Sequence, residues 1–272
     1  MNSEILLNAA RSVNLFVEIK RKFLKENLFS GDLLNGYSRN LSERREDFLI
    51  NTEDFLNQFQ VVQHKSNIKN SETSYNFNVF SFFTISEKQH SYILAYLLNP
   101  ASQHGQGHLF LNIFLDLLGI ERISDKDNWI VTTEKGRIDI LLKRIYPHSV
   151  IVIENKSNYA SDQNHQLYRY WHQEIYRTIM ERHLPADYIL NPPQKYYQLL
   201  YLSPEYWKIP NTNTLSKPVE WDQELPDTIP VKTKHLLFDD FIYNWLKKSL
   251  DYLPVKNYRM REFVEQYIEY WN

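Results

Sequence analysis

Three residues of this 272-residue chain have types and spacing that could do chemistry: Asp139 in RIDILL, and Glu154 and Lys156 in VIENK. On a strand, side chains two apart point to the same side. Glu154 and Lys156 would therefore project together, with Ile151 and Ile153 filling the opposite face. YPHS between the two runs reads as a turn, and an antiparallel pairing through it would bring Asp139 up to Glu154. Two carboxylates would then converge beside one ammonium. Charge in so apolar a setting is costly unless paired or bound to a metal. Carboxylate oxygens suit Mg²⁺, with Mn²⁺ as a substitute. Such an ion can bind a phosphate oxygen, acidify a water and neutralise a leaving group. Lys156 could orient the water or offset charge developing at phosphorus, and as a general base it would need a lowered pKa. The pattern leaves these roles open. A solvated salt bridge at a strand end would use the same three residues, because short motifs recur by chance.

Placing those residues requires a sheet held by helices. WIVTT, RIDILLK and SVIVIENK are short β-branched runs, and KYYQLLYL over 195–202 is a further strand. Thr84 with Glu87 has capping-box spacing and would open a helix over 85–98, with His90, Ile93, Leu94 and Leu97 on one face and Pro100 beyond it. HLFLNIFLDLLG is a second helix, ended by Gly119. A long helix over 161–180, capped by Ser161, would be buried through Leu167, Trp171 and Ile175. After a proline-bearing insertion over 203–230, two helices close the chain. The last carries an apolar stripe of Met260, Phe263, Val264, Tyr267, Ile268 and Trp271. Near the start, Leu6, Ala10, Val13, Val17 and Leu24 repeat at helical spacing, and Gly31 would help end that helix. Residues 42–63 read as one or two further helices and 64–74 as a connection. The order gives an α/β protein with a mixed sheet between helices, divided into an N-terminal helical region (1–75), a core (76–203), and an insertion with closing helices (204–272).

In this setting, Asp139 with Glu154-x-Lys156 resembles the signature of the PD-(D/E)xK nuclease superfamily, over about residues 76–203. The resemblance implies a restriction-endonuclease-like core, its mixed central sheet flanked by helices and extended here by extra N- and C-terminal helices. It implies metal binding by Asp139 and Glu154 and a catalytic Lys156. Ile138 stands where the first motif has proline. Gln166 and Tyr170 form a Q-x-x-x-Y pattern on the following helix, similar to the extra motif of recombination-type exonucleases, which adds both to the catalytic set. The stretch from Glu87 resembles the opening of a bacterial branch of the superfamily and implies Glu87 as a further metal ligand; as partner of Thr84 in a capping box it would have only a structural role. His90, Arg137 and Arg169 are the substrate-binding candidates, and His90 reads more readily as a packed, hydrogen-bonded histidine than as a catalyst. The implied activity is Mg²⁺-dependent hydrolysis of DNA, in defence or repair. Cleavage of RNA, or a silent binding module on a nuclease fold, are the rivals. Intact Asp139, Glu154 and Lys156 favour an enzyme.

Bulk properties remove other classes. The chain has no cysteine, which excludes disulfides, thiolate zinc sites and a thiol nucleophile. Only six glycines are present and no phosphate-cradling loop. His104 and His108 lack HExxH and a third ligand, which argues against zinc. The net charge is −2, so any phosphate-binding surface must be local. The N-terminal segment has an early Glu4 and no basic region or cleavage-like site, and no apolar run reaches the ~20 residues of a membrane span. A cytoplasmic protein with a nucleic-acid partner and no membrane association is expected. A homodimer would supply the two sites needed to break a duplex, and the Trp271 stripe could serve as its contact.

Overall fold

The structure, a computed structural model, describes residues 31–74, 76–124, 126–185 and 187–271. The helix expected over 6–24 lies outside the described residues. The chain divides into two compact units, Met1–Phe77 and Asn78–Asn272.

In the first unit, helix α1 (Gly31–Thr73) runs 43 residues without a break. It corrects two expectations. Gly31 is already helical instead of ending a helix, and residues 64–73 are helix, not a connection. The polar stretch misled because polarity alone does not stop a helix; proline does, and none occurs between 31 and 73.

The second unit opens with a 3₁₀ turn (Val79–Phe82) and helix α2 (Glu87–Leu98). The capping box of α2 is Ser86 with Gln89, not Thr84 with Glu87. The Ser86 hydroxyl accepts from the Gln89 N–H at 3.3 Å, and the Gln89 side chain accepts from the Ser86 N–H at 2.7 Å. The correction shifts the helix start by two residues and releases the Glu87 carboxylate from capping. Helix α3 (Leu109–Leu118) ends on Gly119 at φ +70°, as its sequence predicts.

Three strands follow: β1 (Trp129–Lys135), β2 (Ile138–Arg144) and β3 (Ser149–Asn155). Then come α4 (Gln166–Trp171), a π-helical turn (His172–Tyr176), α5 (Arg177–Glu181), the short α6 (Asp187–Leu190) and β4 (Tyr197–Ser203). The closing segment supplies α7 (Thr212–Leu215), β5 (Thr233–Leu237), a second π turn (Phe238–Ile242), α8 (Tyr243–Tyr252) and α9 (Tyr258–Tyr270). The sheet order is β1-β2-β3-β4-β5, antiparallel through β3 and parallel from there to β5. It is a mixed sheet between helices, an α/β restriction-endonuclease-like fold. Every residue of the central β3 is buried, which accounts for its nearly continuous apolar sequence.

Two differences from expectation stand out here. Strand β5 was not anticipated. It is short, half-buried and lies at the sheet edge, so TKHLL lacks the alternation that marks a strand. The helix after β3 starts at Gln166, with His165 at φ +59° before it, so Ser161 caps nothing.

Each face of the sheet has its own core. Ile140, Ile151, Ile153 and Leu200 pack with α2, α3, α8 and α9 through Leu94, Phe114, Trp245 and Val264. Leu141, Val150, Val152 and Leu199 pack with Leu167, Trp171 and Ile175. The α9 stripe is taken up by the first core: Tyr267 is fully buried, and Trp271 stacks on Phe238 at 3.8 Å. It is therefore committed within the chain rather than open for a dimer contact. Among the described residues no helix is long and apolar enough to cross a membrane.

Candidate active site

Strands β2 and β3 pair Ile140 with Ile153, and the next step of that register sets Asp139 opposite Glu154. Both side chains lie on the face covered by α4. Lys156, just past β3, extends its ammonium back to Glu154 Oε1 at 2.6 Å. Glu154 and Lys156 are only 2% and 4% exposed. Two carboxylates and one ammonium leave one negative charge with no partner. Glu154 Oε2 is buried and makes no hydrogen bond, and Asp139 holds one, from the Asn155 N–H to Oδ2 at 2.7 Å.

Burial pushes the Asp139 carboxyl above its ordinary value, against the Asn155 hydrogen bond and Lys156; Glu134 and Glu87 add to the rise. Glu154 is raised by burial and by Asp139, against its contact with Lys156. Burial pulls Lys156 down, but contact with Glu154 outweighs this and holds its ammonium above the usual value. The cluster as it stands favours protons or another cation.

The Q-x-x-x-Y pair fastens this strand end from above. Gln166 Nε2 donates to the Tyr170 hydroxyl at 2.8 Å, and that hydroxyl donates to the Arg137 carbonyl. Arg137 lies two residues before Asp139, in the β1–β2 hairpin turn. Gly136 and Arg137 have φ of +63° and +67°, the geometry of a two-residue type I′ turn. A Cβ on Gly136 would come within 2.8 Å of the Gln173 side chain on the π turn. The hairpin tip is thus pinned against the helix. Burial, then the Glu154 charge, pushes the Tyr170 phenol up, so it stays a hydrogen-bond donor near neutral pH.

Glu87 approaches from α2. Its Oε1 accepts from the Asn158 and Ala160 N–H groups, both at 3.1 Å, so it holds the loop that follows Lys156. Among the described residues, no three His, Cys, Asp or Glu side chains are gathered closely enough to hold a metal ion unaided. Asp139 and Glu154 still fit a Mg²⁺-like cation: hard oxygen donors, one surplus negative charge and one orphaned buried oxygen. Mg²⁺ commonly takes one or two carboxylates and completes its shell with water and phosphate.

The remaining candidates are dispersed. His90 is fully buried, hydrogen-bonded through Nδ1 to the Tyr267 hydroxyl at 2.9 Å, and burial lowers its pKa to about 4. No surface of it is open to a substrate, which corrects its reading as a substrate contact. Arg137 is exposed at the hairpin tip. Arg169 is half-buried and donates to the Asn164 carbonyl at 2.7 Å. His104 and His108 bond to the Asn99 and Asp127 carbonyls.

Sequence reading missed Asn155. Besides Asp139, it bonds through Nδ2 to the Glu87 carbonyl at 2.9 Å and the Ser91 hydroxyl at 3.0 Å, joining β3 to α2. It is the variable letter of ExK, so only its place between Glu154 and Lys156 could have drawn notice. Asp162 was missed too. It accepts from the Tyr201 hydroxyl and the Asn211 N–H, both at 2.8 Å, and no local pattern marks it.

A family model of the PD-(D/E)XK nuclease superfamily matches residues 77–269. The chain belongs to that superfamily. The match takes in β5 and the closing helices as well as the ExK strands. Membership makes this a hydrolytic nuclease by family, with nucleic acid as its substrate class, and PD-(D/E)XK nucleases generally use divalent metal ions. No curated protein and no solved structure matches the chain.

Proposed function

We propose that this PD-(D/E)XK protein is a Mg²⁺-dependent deoxyribonuclease, with Mn²⁺ as a working substitute, serving in defence or repair in the cytoplasm of a bacterial cell. The observation that carries the reading is the cluster of buried Glu154 and Lys156 with half-buried Asp139, its unmatched negative charge and its partnerless Glu154 oxygen. Asp139 and Glu154 would hold the cation, with Glu87 as a third carboxylate if it leaves the Asn158 and Ala160 amides. When bound, the cation would supply charge neutralisation at the phosphate and a more acidic water.

The chain's own groups do the rest. Lys156, kept protonated, sits where it can stabilise charge developing on the attacked phosphate. That role suits its raised pKa better than general-base action does. Gln166 and Tyr170 fix the Arg137 carbonyl and thereby Asp139, so they act by positioning. Arg137, exposed beside this strand end, is the better placed of the two arginine candidates for a phosphate contact. A homodimer would supply a second site for a duplex break, through a surface other than the α9 stripe.

Incubating the protein with linear, circular, single- and double-stranded DNA, and with RNA, tests the reading. Cutting of DNA in Mg²⁺ or Mn²⁺ that stops in EDTA supports it. Cleavage confined to RNA would replace the substrate, and cleavage undiminished in EDTA would refute metal dependence.

A further inference from the structure

The chain leaves Lys156 directly into an aromatic cleft that the chemistry above does not use. The Tyr159 N–H donates to the Lys156 carbonyl at 3.0 Å. Tyr159 has φ +62°, a conformation that a bulky residue keeps only where its surroundings impose it, often beside functional sites. Its ring is 47% exposed and lies flat on Trp207, which is 59% exposed; the centroids are 5.6 Å apart and the planes 13° from parallel. Ser157 and Tyr159, together with Glu205, Asp239 and Trp271, line a cleft of about 360 Å³, within the ~300–1,000 Å³ of small-molecule sites. Ser157 is 5% exposed, and its hydroxyl has no hydrogen-bond partner. That hydroxyl lies buried behind the cleft wall, an unsatisfied polar group beside the opening.

We propose that this cleft receives an unpaired nucleobase of the strand being cut, so that the substrate is single-stranded or locally unpaired nucleic acid. The proposal rests on the nuclease reading and adds a substrate class to it. Every base presents a π face, and stacking on exposed aromatic rings is how single strands are gripped without regard to sequence. Glu205 and Asp239 would repel a phosphate but can accept from base amino groups, so the base fits this cleft better than the backbone does. Ser157 follows Lys156 directly, so a base held here would lie next along the chain from the ammonium at the end of β3. A base stacked within a duplex cannot enter.

The test is binding in EDTA, where metal-dependent cutting is off. A single-stranded DNA oligonucleotide carrying the fluorescent base 2-aminopurine is compared with an abasic strand of equal length. The full chain should bind the base-bearing strand roughly tenfold more tightly. Tyr159→Ala and Trp207→Ala should lose that preference, and Tyr159→Phe should keep it, with melting curves establishing that each variant is folded. Equal affinity for the two strands, a preference unchanged in Tyr159→Ala, or no binding of either strand overturns the proposal. Since nothing is cut in this assay, a protein that shows the preference but cleaves no substrate would refute the nuclease reading and leave the base site standing.

Discussion

Asp139 illustrates what happens to a carboxylate whose surroundings favour its protonated form. Its carboxyl is half-buried, faces Glu154 and takes a single hydrogen bond. Asparagine would still accept from the Asn155 N–H without the charge. Asp139→Asn should therefore raise metal-free stability by about 1 kcal/mol while abolishing metal-dependent cleavage. Melting curves in EDTA, alongside a cleavage assay, check both halves. The same raised carboxyls set a pH dependence. A group whose folded pKa lies above its unfolded one gives stability that is complete below the unfolded value and lost as pH rises through the folded value. The metal-free fold should thus lose stability from mildly acid towards neutral pH, where Mg²⁺ restores it. Mg²⁺ affinity should weaken as the pH drops and protons compete, and calorimetry at pH 5.5 and 7.5 would show whether it does. At this scale the sequence was informative where chemistry is written in residue type and two-residue spacing, as in Glu154 and Lys156. It was silent on Asn155 and Asp162, whose partners lie on other elements. His90 is the packed, hydrogen-bonded histidine its sequence suggested; what its place on α2 could not tell is which neighbours cover it, and Tyr267 and Trp271, far along the chain, do.

The elements that matter most are the β1–β2 hairpin and the helix above it. Tyr170 anchors the hairpin by one hydroxyl, to the Arg137 carbonyl. Tyr170→Phe keeps the buried ring and removes that anchor. It should cost about 1 kcal/mol of stability and roughly tenfold or more in cleavage through a looser Asp139. A stability loss with cleavage intact would make Tyr170 purely structural. Strands β1 to β4 were legible because β-branched runs between turn residues leave few alternatives. Helix starts were less so. Thr84 and Ser86 both carry a hydroxyl, and only the Gln89 side chain, reaching back to Ser86, decides between them. The start at Gln166 escaped notice because His165 enters the helix from a left-handed conformation rather than through a capping side chain. Strand β5 belongs to the sheet by pairing with β4, a non-local property that its own five residues do not express.

At the scale of the whole molecule, the sheet brings together residues 139, 154 and 156 from the centre of the chain, but its fifth strand comes from Thr233–Leu237, and the superfamily match runs on to 269, through most of the closing helix α9. The order of strands and helices made the fold class readable, whereas the share of the closing segment in the core was not, since an insertion and a fifth strand differ only by what they pair with. If the cluster at the end of β3 is the active centre, cleavage depends on the Lys156 ammonium. Cleavage of DNA in Mg²⁺ by the wild type and by Lys156→Gln tests it most directly. Glutamine keeps a donor for the buried Glu154, so the fold should survive, while the positive charge is gone. Lys156→Gln should cut at least about a hundredfold more slowly, with an unchanged melting profile. Cleavage at the wild-type rate by the folded variant would contradict it.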